Sequence, residues 1–568
     1  MTYLAVLAAF LLFLAVIFVR GLVQERNKRQ RFIQALYDDF GALPNRTYTP
    51  EQIRHLTGYY QKHVEDGQID DITWNDLSME EIFKRLNYTH SATGEEYLYY
   101  MLRSAQGNME RLAHLEDVVV WLTEHADERV RMQVYLSEMG YTGKHSLYDY
   151  IDHLDALGKR SSLKHYIADL LYLPLLLAAP AHLSLAVAGI SVLGIYQIVS
   201  YFQDKRQMEP YIISFAYIMR LIRTCEKVCD MELPVCAAET HQMREAIRAT
   251  KGIRRGSFWV FTASDSRTSG NPLELILDYI RMAFHLDLII FNRMVTALRE
   301  HLADTDVLIT QAGFLEAAAS VCAFRASLQE GFCVPSFSEG EQTAIRINNG
   351  YHLLLEKPVK NSIHATQGVL LTGSNASGKS TFLKMVAINA ILAQTIHTAA
   401  ADAYSAPLFS VYSSMALKDD IAHGESYYIV EIKALKRILD AVQSGKRVLG
   451  FVDEVLRGTN TVERIAASTE ILKSLGKPGV LCFAATHDIE LTELLQDTYD
   501  NYHFDETIQD GDIHFPYRLL AGKATTRNAI QLLALMGYSE EITEQAMQRA
   551  ERFVQTGVWQ AMQDNMVK

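Results

Sequence analysis

The chain has 568 residues, with 54 Lys plus Arg against 67 Asp plus Glu and a formal net charge of −13. That length is more than one hydrophobic core serves and implies roughly two to four domains. The acidic balance excludes a protein that coats nucleic acid by bulk attraction, while leaving room for a local basic groove. Six cysteines are too few for a disulfide frame, and Cys225 and Cys229 stand in helical register as buried thiols of a reducing compartment. With Cys236 and His241 they lack the usual zinc spacings.

From Tyr3 to Val19 no residue is charged. In a helix these residues span about 25 Å, near the lower limit for crossing a bilayer. Positive charge follows the run at Arg20, Arg26, Lys28, Arg29 and Arg31 instead of preceding it, which argues for a retained anchor over a cleaved signal peptide. Residues 1–20 are therefore expected to be a transmembrane anchor with its C-terminal end in the cytoplasm. A second apolar region runs from Leu170 to Phe202. Lys159, Arg160 and Lys164 precede it, Lys205 and Arg206 follow it, and only His182 lies in its middle, a distribution that favours two short crossings joined near "APAHLS". A buried helical hairpin inside a soluble domain is the competing arrangement, because each arm is shorter than the roughly 20 residues of a comfortable span.

Residues 21–165 carry mostly helical periodicity, and the run from Asn271 to Gln329 has the same period with very few breakers. Beyond "CVPSF", Cys333 to Phe337, the pattern changes to short apolar runs alternating with helices: "GVLLTG", "RVLGFVDE" and "GVLCFAATHD". That alternation predicts a parallel α/β sheet and a domain boundary near Pro335.

Gly373, Gly378, Lys379 and Ser380 match the pattern G-x-x-x-x-G-K-[ST] directly after an apolar strand and before a helical run. The loop of Gly373, Ser374, Asn375, Ala376, Ser377, Gly378, Lys379, Ser380 and Thr381 is thus the candidate nucleotide-binding element of a P-loop NTPase. Its glycines allow backbone N–H groups to face phosphate oxygens at a helix N-terminus, Lys379 neutralises the β and γ phosphates, and the Ser380 hydroxyl ligates Mg²⁺. Asp453 and Glu454 end the next candidate strand, where open α/β sheets present ligands. Asp453 suits the magnesium, and Glu454 suits the orientation and deprotonation of a water. His487, at the end of a third strand, can reach a γ-phosphate as donor. The implied cofactors are ATP and Mg²⁺.

These residues resemble the MutS family of mismatch-repair ATPases. "TGSNASGKST" is similar to the family's T-G-P-N-x-G-G-K-S-T, and "DEVLRGTNT" (Asp453 to Thr461) to its D-E-x-x-R-G-T-x-T. "ESYYIVEI" (Glu425 to Ile432) resembles its S-x-F-x-x-E-M element, and "ATHD" its strand-end histidine. More weakly, Asn87 to Ser104 resembles the start of the family's helical core, Asp304 to Ala318 its lever helix, and Phe515 to Ala546 its closing segment. The resemblance implies an ABC-type ATPase domain at the C-terminus and a homodimer in which Ser426 reaches the partner subunit's γ-phosphate. Departures include Ser374 in place of the loop proline, Tyr428 in place of the phenylalanine, and Val462 to Arg464 where the family continues with Asp-Gly. A mismatch reader's Phe-x-Glu wedge domain has no counterpart at the N-terminus; "FLE" at Phe314 to Glu316 lies within a helix as core.

The expected organisation is a membrane anchor at 1–20, a juxtamembrane helical linker at 21–75, and a helical core and lever at 76–333 interrupted by the hairpin 170–202. An ATPase domain with a C-terminal helical dimerisation segment follows at 334–568. The expected location is the cell membrane, multi-pass, with the ATPase on the cytoplasmic side. Two functions compete. One is a dimeric ATPase driving a conformational clamp, DNA-binding and related to mismatch repair, with Lys251, Arg254, Arg255 and Arg267 as the basic patch. The other is a membrane mechanoenzyme or scaffold acting on a protein partner without nucleic acid.

Overall fold

The computed structural model describes residues 19–21, 23–24, 26–105, 108–142, 146–152, 161–254, 260, 280–338, 340, 343–374, 376–415, 427–457, 459–509, 512–524, 530, 533–534 and 536–559. The expected anchor falls almost wholly outside them. Two units are separated by their internal contacts: Met1–Glu65, Phe83–Leu102 and Met109–Gln329 form the first, and Asp66–Ile82, Arg103–Asn108 and Glu330–Lys568 the second. This division departs from the one drawn on sequence in three places. Residues 66–75 of the expected linker, and 76–82, 103–108 and 330–333 of the expected helical core, belong to the second unit. The remainder of the linker is also not merely a spacer, since Leu56 and Tyr59 are buried in the first unit.

The first unit is helical. Its helix Ala92–Arg103 starts at Ser91, whose hydroxyl accepts the Gly94 N–H at 3.0 Å. The Glu316 carboxylate, carried by the helix Leu302–Ser327, in turn accepts the Ser91 hydroxyl and the His90 N–H. Burial pushes the Glu316 carboxyl up to about 7 against those two hydrogen bonds. The two helices touch through glycines. A Cβ on Gly94 would lie 2.2 Å from Glu316 Oε2, and one on Gly313 would lie 2.5 Å from the Tyr97 Cβ. Leu302–Ser327 is long and apolar enough to cross a membrane, yet 83% of its apolar window is buried, so within this unit it is a core helix containing the "FLE" triplet.

The apolar region 170–202 does form two arms, with limits other than those expected. The first arm begins earlier, as the helices Leu163–Leu170 and Tyr172–Ala178. The chain turns at residues 179–182, and the second arm does not stop at Phe202 but continues as one 47-residue helix, Leu183–Cys229. The later half of that helix buries Phe215, Tyr217, Ile218, Leu221, Ile222 and Cys225 in the helical core. The Tyr217 hydroxyl accepts the Thr93 N–H at 2.9 Å.

The second unit contains the strands β1 (Ser336–Phe337), β2 (Ile345–Gly350), β3 (Asn361–Ala365), β4 (Gly368–Gly373), β5 (Ala403–Ala406), β6 (Ser410–Ser414), β7 (Val448–Asp453), β8 (Val480–Ala485), β9 (Tyr499–Phe504), β10 (Thr507–Gln509), β11 (Asp512–His514) and β12 (Leu519–Ala521). The main sheet has the order β12-β9-β4-β8-β7-β6, parallel from β9 to β6, with β12 antiparallel at one edge. β7 and β8 are buried at every residue, as continuous apolar runs in a parallel sheet covered on both faces should be. The helices Lys379–Ile396, Tyr427–Gln443 and Thr461–Leu475 supply that cover.

The edge strand β6 is closed by residues from far earlier in the chain. Ser413 Oγ donates to Asp76 Oδ2 at 2.7 Å, the Met415 N–H donates to the same oxygen at 3.0 Å, and the Ser413 N–H donates to Thr73 Oγ1 at 3.2 Å. Arg437 ties Asp70 to the Ser413 carbonyl. The short helix Asp71–Asp76 thereby covers backbone groups that an open sheet edge would expose.

Gly313→Ala separates helix propensity from packing. Alanine is better than glycine in a helix interior by about 1 kcal/mol, whereas overpacking a filled site costs about 1–3 kcal/mol. The Tyr97 contact should dominate, so the variant should melt below the wild type in a thermal scan; an equal or higher midpoint contradicts this packing.

Candidate active site

Three adjacent parallel strands bring the motif residues together. β4 ends in the phosphate loop, and its neighbour β8 ends at Ala485, where the Thr486 N–H donates to the Leu371 carbonyl at 2.9 Å. β7 lies next to β8 with Asp453 opposite Ala485, and the Glu454 N–H donates to the Ala485 carbonyl at 2.9 Å. Main-chain register alone therefore delivers the loop, Asp453, Glu454 and His487 to the C-terminal ends of three interior strands.

Gly373 and Gly378 adopt φ of 142° and 107°, conformations that side chains rarely take. Space is as restrictive as torsion here: a Cβ on Gly373 would lie 2.8 Å from the Phe504 carbonyl oxygen. Ala376 holds φ at 67° without being glycine. Ser374 donates to Glu506, a partner that the family's proline could not have. Ser377 Oγ is buried without a hydrogen-bond partner, a polar atom left over inside a loop built to receive an anion. Lys379 starts the following helix and turns its ammonium back onto the carbonyls of Gly373 and Ser374, 2.8 Å from each. Burial pulls that ammonium below its ordinary value, opposed by the charges of Asp453 and Glu454.

Ser380 Oγ donates to Asp453 Oδ2 at 2.6 Å, so the two groups assigned to magnesium are side by side. A hydroxyl and a carboxylate are hard oxygen donors suited to that ion. Glu454 sits at φ 59° and is held from two sides: His487 Nε2 lies 2.9 Å from Oε1 and Arg457 Nε 2.6 Å from Oε2. The His487 hydrogen bond, and then Arg457 and Lys379, hold the Glu454 carboxyl below the usual carboxylate range despite its partial burial. Ser374, Ala376, Ser377, Gly378, Lys379, Ser380, Thr381 and Glu454 line one cavity of about 500 Å³, within the range of small-molecule sites. His352, Met385, Phe504 and Tyr517 line the same cavity, an imidazole and a phenol ring among apolar groups. Tyr517 approaches the loop closely, since a Cβ on Gly378 would meet its ring at 3.1 Å.

Of the residues expected from sequence, Asn375 and Ser426 lie outside the described residues. The others lie at the loop and the strand ends described above. Glu431 was not singled out, although it belongs to "ESYYIVEI". Its Oε1 accepts the Leu456 N–H at 2.5 Å and so anchors the positive-φ turn that carries Glu454 and Arg457. Burial raises the Glu431 carboxyl above its ordinary value. Tyr517 and His352 were missed as well, because nothing local in the sequence links them to the loop. Of the candidate basic patch, Arg255 and Arg267 lie outside the described residues, and Arg254 is ion-paired with Glu226.

Residues 369–554 match a family model described as MutS domain V. Similar curated proteins carry the same family name. The DNA mismatch repair protein MutS of Lactobacillus acidophilus is 30% identical over 298 residues, 50% of this chain and 34% of the relative. The protein of that name from Thermus thermophilus is 31% identical over 225 residues, 39% of this chain and 27% of its own. Residues 369–554 of this chain are thus similar to MutS domain V. A third MutS, from Streptococcus suis, is 31% identical over 241 residues, 40% of this chain and 28% of its own. The chain thus spans about a third of the length of the curated relatives it matches. The matched region includes the phosphate loop, both strand-end acids and the histidine, all in the second unit.

Glu431→Ala removes the acceptor of a buried main-chain N–H. Leaving such a donor unsatisfied costs about 1–3 kcal/mol. The variant should unfold at lower denaturant concentration than the wild type; an unchanged midpoint would show that the turn does not depend on Glu431.

Proposed function

We propose that this chain is a MutS-family, Mg²⁺-dependent ATPase that works as a homodimer held at the cytoplasmic face of the cell membrane. The observation that carries the reading is the convergence of Lys379, Ser380, Asp453, Glu454 and His487 at the ends of three neighbouring strands. Lys379 leaves the loop carbonyls for the β and γ phosphates, and the loop amides and Ser377 Oγ supply further donors. Magnesium, when bound at Ser380 and Asp453, neutralises charge on the transferring phosphoryl group. Glu454 takes a proton from water as the water oxygen bonds to the γ-phosphorus and the bond to ADP breaks, ADP keeping the electron pair. His487 fixes the Glu454 carboxylate and can donate to a γ-phosphate oxygen. The rings of His352, Phe504 and Tyr517 in the cavity lining are available to the base.

Ser426, resemblance suggests, completes the partner subunit's site, so that ATP closes the pair and ADP releases it. Closure would drive a clamp, and the relatives' name, DNA mismatch repair protein, supports duplex DNA as what the clamp holds. A second reading dispenses with DNA: the dimer acts on the protein's own apolar hairpin or on a membrane protein partner. The exposure of that hairpin and the pairing of Arg254 favour it.

Lys379→Ala should abolish retention of labelled ATP. Glu454→Gln should retain ATP while turnover falls at least about 100-fold, as for removal of a general base. Wild-type-like hydrolysis by Glu454→Gln removes that residue from the mechanism. Fluorescence binding of duplex DNA to the solubilised protein across a salt series decides between the readings. The clamp requires an affinity that falls steeply with salt, and no measurable binding at low salt leaves the membrane reading.

A further inference from the structure

The hairpin of the first unit buries a polar cluster between its arms and exposes large apolar side chains. Gln197 is buried between the arms, where its Nε2 donates to Asp169 Oδ1 at 3.0 Å and its Oε1 accepts the Tyr172 hydroxyl at 2.6 Å. Near the middle the arms touch, since a Cβ on Gly189 would lie 2.6 Å from Leu175 Cδ2. The outer surface is the reverse. Leu177 is 80% exposed and Val192 69%, and the apolar window of Leu183–Arg206 is only 11% buried, against 83% for the core helix Leu302–Ser327.

Charge and length bound this surface. No charged residue occurs between Asp169 and Asp204. Lys164 and Asp204 pair at 2.6 Å and tie the arms together at their base, where Lys205 and Arg206 follow, and His182 stands at the turn. From Leu183 to Asp204 a helix rises about 32 Å at 1.5 Å per residue, close to the roughly 30 Å of a bilayer's hydrocarbon.

The width of the apolar surface discriminates between occupants. Nine large apolar residues of the second arm are exposed: Leu183, Leu185, Val187, Val192, Ile195, Tyr196, Ile198, Val199 and Phe202. At about 100° per residue they cover roughly 220° of the helix circumference, all but the side turned to the first arm. A helix docking into a protein groove presents a stripe about half as wide. A surface apolar over most of its circumference, with Gln197, Asp169 and Tyr172 bonded to one another between the arms, meets the demand of hydrocarbon, where no water is present to bond them.

We propose that this hairpin is a bilayer-spanning element whose base at Lys164–Asp204 sits at the cytoplasmic headgroups and whose turn at His182 reaches the opposite face. Because the second arm and the core helix are one continuous helix, Leu183–Cys229, the hairpin fixes the helical unit at a set height on the membrane instead of hanging from it by a linker. This deepens the membrane reading given above and rests on it, with the lipid-facing surface now assigned.

The test uses the full-length protein in phosphatidylcholine–phosphatidylglycerol vesicles with the ATPase outside. Gln203→Cys, Leu177→Cys, Val192→Cys and His182→Cys are reacted with a membrane-impermeant maleimide, and wild-type labelling is subtracted. Gln203→Cys should label from outside. Leu177→Cys and Val192→Cys should label at least tenfold more slowly, and His182→Cys only with reagent inside the vesicles. Vesicle-bound protein in which Val192→Cys labels as fast as Gln203→Cys overturns the hairpin proposal and leaves attachment through residues 1–20 standing. Labelling of His182→Cys from outside refutes the crossing. Protection of Val192→Cys without lipid or detergent assigns the surface to a second copy instead, and failure to bind vesicles at all removes the membrane reading as well.

Discussion

The parallel pairing of β4, β8 and β7 is the constraint on which the candidate site rests. Two backbone hydrogen bonds, from Thr486 to Leu371 and from Glu454 to Ala485, set where each strand stops relative to its neighbour. A register slip of one residue would turn Asp453 to the other face of the sheet. Side chains then refine what the ladder has placed: Ser380 meets Asp453, and His487 and Arg457 grip Glu454 from opposite sides. The strands can bear this because they are buried on both faces, which excludes water from the ladder and leaves no competing partner for its N–H and C=O groups.

The helical unit solves the opposite problem. Long helices have no ladder between them, so their register depends on side-chain relief. Gly94 and Gly313 let Ala92–Arg103 and Leu302–Ser327 approach until the Glu316 carboxylate reaches the N-terminal N–H and hydroxyl groups at His90 and Ser91. There a carboxylate also meets the favourable end of a helix dipole. The same unit contains two helices of nearly equal apolar character, one buried and one exposed. Composition could not distinguish them, because a core and a bilayer reward the same residues.

Much of the site was legible in the chain. The phosphate loop, Asp453, Glu454 and His487 each follow a short apolar run, and their types announce phosphate, metal and proton chemistry. The local pattern suffices because each residue lies at a strand end and the strands are strongly apolar. β6 and β9 escaped the same reading: "SVYSS" and "YDNYHF" are too polar to signal strands, yet they lie in the parallel sheet through hydrogen bonds to β7 and β4. Glu431, His352 and Tyr517 escaped for a related reason, since they act on the loop from elements distant in sequence. The sequence-drawn limits of the hairpin were also short, because periodicity could not tell where the exposed arm passes into the buried half of one helix.

What the sequence determined by itself is chemistry and class: a phosphate-binding loop, strand-end acids, an α/β domain after a helical one, and apolar runs bounded by charge. These follow from local rules of spacing, torsion and solvation that act within a few residues. Only the tertiary structure decided which apolar helix is core and which faces outward, that Asp70 to Asp76 close a sheet edge more than 300 residues later in the chain, and that Glu431 holds the turn beneath Glu454. Those are long-range pairings. They depend on which surfaces remain unsatisfied after the local elements have formed, and no window of sequence contains that information.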